Sequence, residues 1–319
     1  MYNNEFTIEN VMQKIHNQNF EKWVDNFSKN LPNIWKENSA KKLNQDGKNK
    51  GSSIVIGRGP SLKTNNHLKI LAESNYSGSI ICSDGILKEA LHAGINPNKF
   101  KKIFVLTIDP HEKIRKFYDH KIIDEFGENI EGIFTTIADP LTVERARKAG
   151  IKINWIHSLF DLDKGKKSFN YISSLIVRAK NNNEGLPAIQ TGGNVGTSAW
   201  FVGWRILGCK TVALIGINHS WEETDPIELI MKHGVGEKEL NIDKNSPEFQ
   251  RLFPKIYNPE LKKNFILDPL FQFYRKGLIE FIQRSPSYLK TINATEGGSI
   301  FGERIITMPF KQFLNTEIK

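Results

Sequence analysis

Four places in this 319-residue sequence put chemically useful residues at the end of an apolar run. The first is Ile54-Val-Ile-Gly57-Arg-Gly59-Pro-Ser61-Leu62. Glycines let a backbone turn tightly and approach a phosphate, and a helix start beyond them offers N–H groups and a positive dipole end. Ser61 adds a hydroxyl that can cap the helix or meet the phosphate. The second is Gln190-Thr-Gly192-Gly193-Asn194-Val-Gly196-Thr197, a glycine cluster opening an apolar helix and again suited to an anion. The third is a pair of acids, Asp84 in Cys82-Ser-Asp-Gly85 and Asp109 in Thr107-Ile-Asp-Pro110. Asp84 can accept from a ribose hydroxyl, and the two together can hold Mg²⁺. Either can also be a plain helix cap, as Asp139 before Pro140 is read. The fourth is His219, after Leu214-Ile-Gly-Ile-Asn218, placed to take a proton near neutral pH. His233, in Lys232-His-Gly-Val-Gly236, is the alternative proton acceptor, on a polar loop that can close as a lid. A rigid strand end is the better mount and favours His219, although a structural histidine is the plain alternative there.

These residues need a scaffold that brings strand ends together. From Ser52, short β-rich runs alternate with helix-length segments: 54–56, 79–82, 103–106, 132–135, 151–155 and 211–215. That rhythm predicts a doubly wound α/β domain with a parallel sheet, whose ligands sit at the carboxyl ends of the strands. Ahead of it, residues 1–51 read as a helical arm, with helices at 7–30 and 32–43, and a polar Asn44–Gly51 linker. Behind the nucleotide-binding unit of 52–220, residues 221–319 read as a cap of polar loop (222–262), a helix near 269–284 and a glycine-containing coda at 291–302.

Composition narrows the function classes. A 39% apolar and 25% charged chain with no run of about 18 apolar residues is not a membrane-spanning sequence. Two cysteines, Cys82 and Cys209, lie in apolar β-like segments, so they read as buried thiols in a reducing, cytoplasmic setting. The net charge of +9 favours anionic ligands, but the basic residues are interleaved with acids and match no nucleic-acid-binding motif. The third glycine of the dinucleotide fingerprint is missing, as is the Gly-Lys-Ser/Thr of a P-loop, which sets aside hydride transfer and P-loop chemistry.

The blocks Gly57–Leu62, Ser83–Gly85, Thr107–Pro110, Gly192–Thr197 and Leu214–Asn218 together resemble the MptE-like domain. That domain occurs in archaeal 6-hydroxymethylpterin diphosphokinases and in the Maf proteins that glycosylate flagellin. The first and fourth blocks are also similar to those of bacterial sialyltransferases that use CMP-sialic acid. The resemblance covers about residues 52–220 and implies a nucleotide site lined by Gly57, Gly59, Ser61, Gly193, Asn194 and Gly196, to which the residue reading adds Asp84, Gly85 and Thr197. It implies a transferase with one of two chemistries. Diphosphokinases carry an Asp-x-Asp pair after the third strand, where this chain has the single Asp109. Its coda Asn293-Ala-Thr-Glu-Gly-Gly298 looks like the segment that closes the catalytic region of Maf proteins. Both departures favour glycosyl transfer from a nucleotide sugar, including a CMP-linked acidic one, to a glycan, protein or pterin hydroxyl. Mg²⁺ on Asp84 and Asp109 belongs to the diphosphokinase alternative, and a non-catalytic nucleotide-binding module is the third reading.

Overall fold

A computed structural model of the chain describes residues 8–44, 51–179, 185–235, 243 and 245–317. Most of the expected Asn44–Gly51 linker, and part of the loop following His233, lie outside the described residues. The chain enters through helix α1 (Ile8–Ile34) and a two-residue strand β1 (Asn38–Ser39). It then alternates β2 (Ser52–Ile56), α2 (Ser61–Thr64), α3 (His67–Glu73), β3 (Ser79–Ser83), α4 (Leu87–His92) and β4 (Ile103–Thr107). The same rhythm continues through α5 (Lys121–Phe126), β5 (Glu131–Thr135), α6 (Pro140–Lys148), β6 (Lys152–Leu159), α7 (Phe169–Arg178) and β7 (Ala188–Gln190). Helix α8 (Val195–Phe201) runs on into a π-helical turn, Val202–Ile206, before β8 (Thr211–Ile215).

The described residues form a ten-stranded sheet in the order β1-β6-β5-β4-β3-β2-β8, followed by β12 (Lys290–Asn293) and β13 (Ile305–Thr307), with β7 also paired to β6. Every pairing in it is parallel. Strands β2, β3 and β4 are buried at every position, as a sheet covered on both faces requires. Ile54, Ile56, Ile80, Cys82 and Val105 face one core, shared with α1, α4 and α6. Val55, Ile81, Leu106 and Val212 face the other, filled by Trp200 of α8 and by Leu278 and Ile282. The chain builds outward from β2 to β6, then returns to the opposite side of β2 as β8. That reversal opens a crevice outside the carboxyl ends of β2 and β8.

Three features differ from the sequence expectation. The arm is a single helix through Pro32, because a proline this close to a helix end removes only one late hydrogen bond. Helix α1 is also fastened to the loops after β4 and β5: Asn26 Nδ2 donates to the carbonyls of Pro110 and Ile137, and Asn30 Nδ2 to those of Thr136 and Ala138. Second, the sheet continues past Ile215: the coda supplies most of β12, and β13 follows just beyond it.

Third, the stretch expected as polar loop is a small layer of its own. Strands β9 (Trp221–Glu222), β10 (Lys255–Asn258) and β11 (Lys263–Ile266) pair antiparallel beside helices α9 (Ile227–Val235) and α10 (Pro247–Leu252). Ile230, Met231, Leu252, Phe253 and Ile266 form its core, a set too scattered along the sequence to read as one face. Helix α11 (Pro269–Gln283) joins this layer to the sheet, and α12 (Phe310–Glu317) closes the chain against the first core with Phe310, Phe313 and Leu314. No helix among the described residues is long and apolar enough to cross a membrane.

Candidate functional site

The loop after β2 is locked to the loop after β8. Gly57 N donates to Ile215 O at 2.9 Å, and Gly59 N donates to Gly216 O at 2.8 Å. A Cβ on Gly57 would lie 2.4 Å from Gly216 O, and one on Gly59 would lie 2.0 Å from Asn218 Oδ1. The two glycines therefore answer to a close approach of the chain to itself. Ser61 Oγ donates to Asn218 Oδ1 at 2.9 Å, so this hydroxyl fastens the same two loops. The coda braces them from outside: Ser299 N donates to Asn218 O, and Ser299 Oγ to His219 O at 2.7 Å.

The second glycine cluster is likewise turned inward. Asn194 is the N-cap of α8, its Oδ1 accepting from Thr197 N at 2.9 Å while Nδ2 donates to Thr197 Oγ1 at 3.0 Å. Gly193, at φ +80°, faces Tyr274 of α11, whose Cε1 would stand 2.7 Å from a Cβ there. Gly196 and Thr197 are buried beneath the cap, Gly196 against Ile217.

Neither acid caps a helix, whereas Asp139 does, accepting from Thr142 N at 2.8 Å. Asp84 is buried, and its Oδ1 accepts from Gly85 N at 2.7 Å. Burial, with a further push from the charge of Asp109, raises its carboxyl to about 7, against hydrogen bonds from Gly85 and Thr107 and the charge of Arg58. Asp109, half-exposed, accepts from both the backbone N and the Nδ1 of His111, each at 2.8 Å. Tyr274 hangs over this region, its hydroxyl pushed up to about 12 by burial and by the charges of Asp268 and Asp109. Among the described residues no group of three or more His, Cys, Asp or Glu is placed to hold a metal, so a cation here would rest on Asp84 and Asp109.

His219 stands at the end of β8 as expected, but its surroundings are apolar. It is 8% exposed, sits at φ +45°, and its ring lies 6.3 Å from that of Phe271 and 5.9 Å from that of Tyr274. Burial, helped by Arg275, holds its imidazole down at about 4, and Nδ1 has no partner among the described residues. At neutral pH this is a neutral, weakly basic ring.

His233 stands on a helix and not in the polar loop expected. It lies in the last turn of α9, with Nδ1 2.6 Å from Asp268 Oδ2. Asp268 is fully buried, caps α11 through Phe271 N at 2.9 Å, and accepts from Trp221 Nε1 at 2.6 Å. The His233 ring packs 4.8 Å from Phe271, whose ring also neighbours that of His219, and remains partly open to solvent.

A cavity of about 400 Å³ adjoins Asp84, walled by Arg58, Lys88, Lys116 and Phe117. Sequence reasoning passed over Arg58, although it sits between the two motif glycines, and His111, two residues beyond Asp109. It also missed Asp268 and Tyr274, because only the return of α11 across the strand ends gives them a role.

The fold and the switch-point crevice define a doubly wound α/β protein. A model of the 6-hydroxymethylpterin diphosphokinase MptE-like family matches residues 25–224, and the chain belongs to that family. No curated protein sequence matches it. Among solved structures, a Maf glycosyltransferase from Magnetospirillum magneticum AMB-1 has the same fold at a TM-score of 0.56 and 15% identity, over 82% of this chain and 34% of that one. This chain therefore spans about a third of that protein's length.

Proposed function

We propose that this protein is a nucleotide-dependent group transferase that moves a sugar from a nucleotide-activated donor to a hydroxyl acceptor. One observation carries the reading: the β2/β8 crevice is roofed by Tyr274 and Phe271 of α11 and flanked by the Asp268–His233 pair. Such a roof excludes water from an activated donor. The described cap supports the Maf-like alternative within the family, and the Maf fold neighbour is consistent with it. A cytoplasmic setting goes with the two buried, unbridged cysteines.

In this mechanism the acceptor oxygen attacks the anomeric carbon as the nucleotide phosphate leaves. His233 takes the acceptor proton, since Asp268 accepts from Nδ1–H and leaves Nε2 as the basic nitrogen. His219 replaces no base here; its neutral Nδ1 is a hydrogen-bonding position on the crevice wall. Gly57, Gly59, Ser61, Gly193, Asn194, Gly196 and Thr197 form the frame around the nucleotide. Asp84, with Gly85, lies at the ribose or acceptor end.

The second reading, Mg²⁺-dependent pyrophosphoryl transfer from ATP to a pterin, draws on the family description and on the coupling of Asp84 to Asp109. Magnesium on these two carboxylates would neutralise charge on the ATP phosphates and relieve their mutual repulsion.

Thermal-shift titration with CMP, CDP, UDP, GDP and ATP, each with and without Mg²⁺, separates the readings. A ligand at 100 times its Kd stabilises the fold by about 2.7 kcal/mol. Stabilisation by a pyrimidine or guanine nucleotide without metal is expected, and the absence of any nucleotide effect would sink the proposal. AMP formed from ATP with a pterin acceptor, and abolished in Asp109→Asn, would establish the second reading. With a donor in hand, His233→Ala should cost about 10² to 10⁴ in rate and leave nucleotide affinity unchanged. A loss of that size in His219→Ala alone would return the base to the end of β8.

A further inference from the structure

The glycine loops were expected to hold phosphate through their N–H groups, but five of those groups donate within the fold. Gly57, Gly59, Gly193, Asn194 and Thr197 all donate within the fold, to Ile215, Gly216, Thr191, Thr191 and Asn194 respectively. With these five N–H groups engaged, phosphate at this crevice also needs side chains.

The cavity of about 400 Å³ beside Asp84 supplies them. Arg58 and Lys116 both stand over the Phe117 ring, 5.0 and 5.3 Å from its centroid, so one aromatic ring carries two cations, and all three side chains line the cavity. Gly85 makes room for the Arg58 stem, since a Cβ there would lie 3.1 Å from Arg58 Cδ. Lys88 and His120 complete the basic side of the lining. Of the acids on the same wall, Asp119 is held by Arg145 at 2.8 Å and Arg115 at 3.6 Å, while Glu89, 3.5 Å from Lys88, competes with an anion for that lysine. Asp84 remains, with its charge suppressed by burial.

We propose that Arg58, Lys88 and Lys116 bind the diphosphate of a nucleoside-diphosphate donor. This deepens the transferase reading and rests on it, and it selects a diphosphate-linked donor over the monophosphate-linked one that the sialyltransferase resemblance implies. Two adjacent phosphates match a cluster of cations in which Arg58 can contact oxygens in bidentate fashion. The volume falls within the range of ordinary small-molecule sites and leaves room beyond the diphosphate.

Calorimetric titration of the full chain with inorganic pyrophosphate, and with CDP against CMP, tests the assignment. Pyrophosphate should bind, and CDP should bind more tightly than CMP. Arg58→Gln with Lys116→Gln should weaken pyrophosphate and CDP by about 10- to 100-fold while CMP changes much less. Both side chains are exposed, so the fold should survive, and an unchanged unfolding midpoint confirms it. Glu89→Gln, which removes a carboxylate from the wall, should tighten pyrophosphate binding. Lys263→Gln, on β11 of the cap, should leave it unchanged. No pyrophosphate binding, or binding indifferent to Arg58 and Lys116, overturns the cavity. If nucleotides still bind the double variant normally, the transferase reading stands and the cavity assignment alone fails. Pyrophosphate bound through Arg58 in a protein that recognises no nucleotide would keep the cavity and remove the transferase reading.

Discussion

Asp84 illustrates how a buried carboxyl at a strand end is set against stability. Its carboxyl ordinarily titrates at 3.8 and here at about 7, chiefly because it is buried. The folded chain thus holds a proton that the unfolded chain has lost, and stability falls as pH rises from about 4 to 7. Asp84→Asn removes the buried charge and should stabilise the protein by roughly 1–3 kcal/mol at pH 8, with the gain shrinking towards pH 4. Urea unfolding of both proteins at pH 5 and 8 measures this. A variant less stable at both values would make Asp84 a structural residue. The acid was legible from its place after a buried strand, but its shifted titration was not, since Thr107 and Asp109 reach it from the end of β4 and Arg58 from the loop after β2.

At the scale of elements, the loop after β2 serves the sheet before it serves a ligand. Gly57 and Gly59 have backbone and side-chain oxygens of the β8 loop where a Cβ would go, so overpacking is the consequence of adding one. Gly57→Ala and Gly59→Ala should each lower stability by about 1–3 kcal/mol in denaturant unfolding, with or without nucleotide. Wild-type stability combined with lost nucleotide binding would show that the turn is shaped for a ligand. The sequence marked these glycines as places where the backbone comes close to a phosphate, whereas the approach the structure shows is that of the β8 loop. It offered no sign of that loop, because Gly216 and Asn218 lie more than 150 residues away and arrive only through the β2–β8 pairing. Helix α1 makes the same point, its buried Asn26 and Asn30 holding the loops after β4 and β5 that a free helical arm would leave unbraced.

Across the whole molecule, three buried histidines link folding to acidity, among them His67, held below its ordinary value chiefly by burial. His157, bonded to Thr136 Oγ1 at 3.0 Å and Ser173 Oγ at 3.2 Å, is held down at about 4 by burial, as is His219. Both titrate near 6.5 when unexposed to the fold, so between about 6.5 and 4 the unfolded chain binds more protons. Their contribution is complete above about 6.5 and is lost as pH falls through that window, by up to about 1.4 kcal/mol per pH unit each. Asp84 opposes this over part of the same range, so Asp84→Asn should steepen the acid loss and His157→Gln should flatten it. Denaturant unfolding across pH 7.5 to 4.5 reads both slopes, and a His157→Gln slope equal to wild type would exclude His157.

The alternation of buried runs and helices by itself determined the parallel α/β sheet, because a strand covered on both faces needs an unbroken apolar run and a long crossover. It also marked the strand ends where Asp84, Asp109 and His219 lie, and the motif blocks named the family. Which of those residues face one another was decided by the tertiary structure. Strand order placed β8 beside β2, the coda extended the sheet, and α11 carried Tyr274, Phe271 and Asp268 over the crevice. Burial and long-range hydrogen bonds arise only from that packing, which is why His219 is apolar and weakly basic while His233 gained a buried carboxylate.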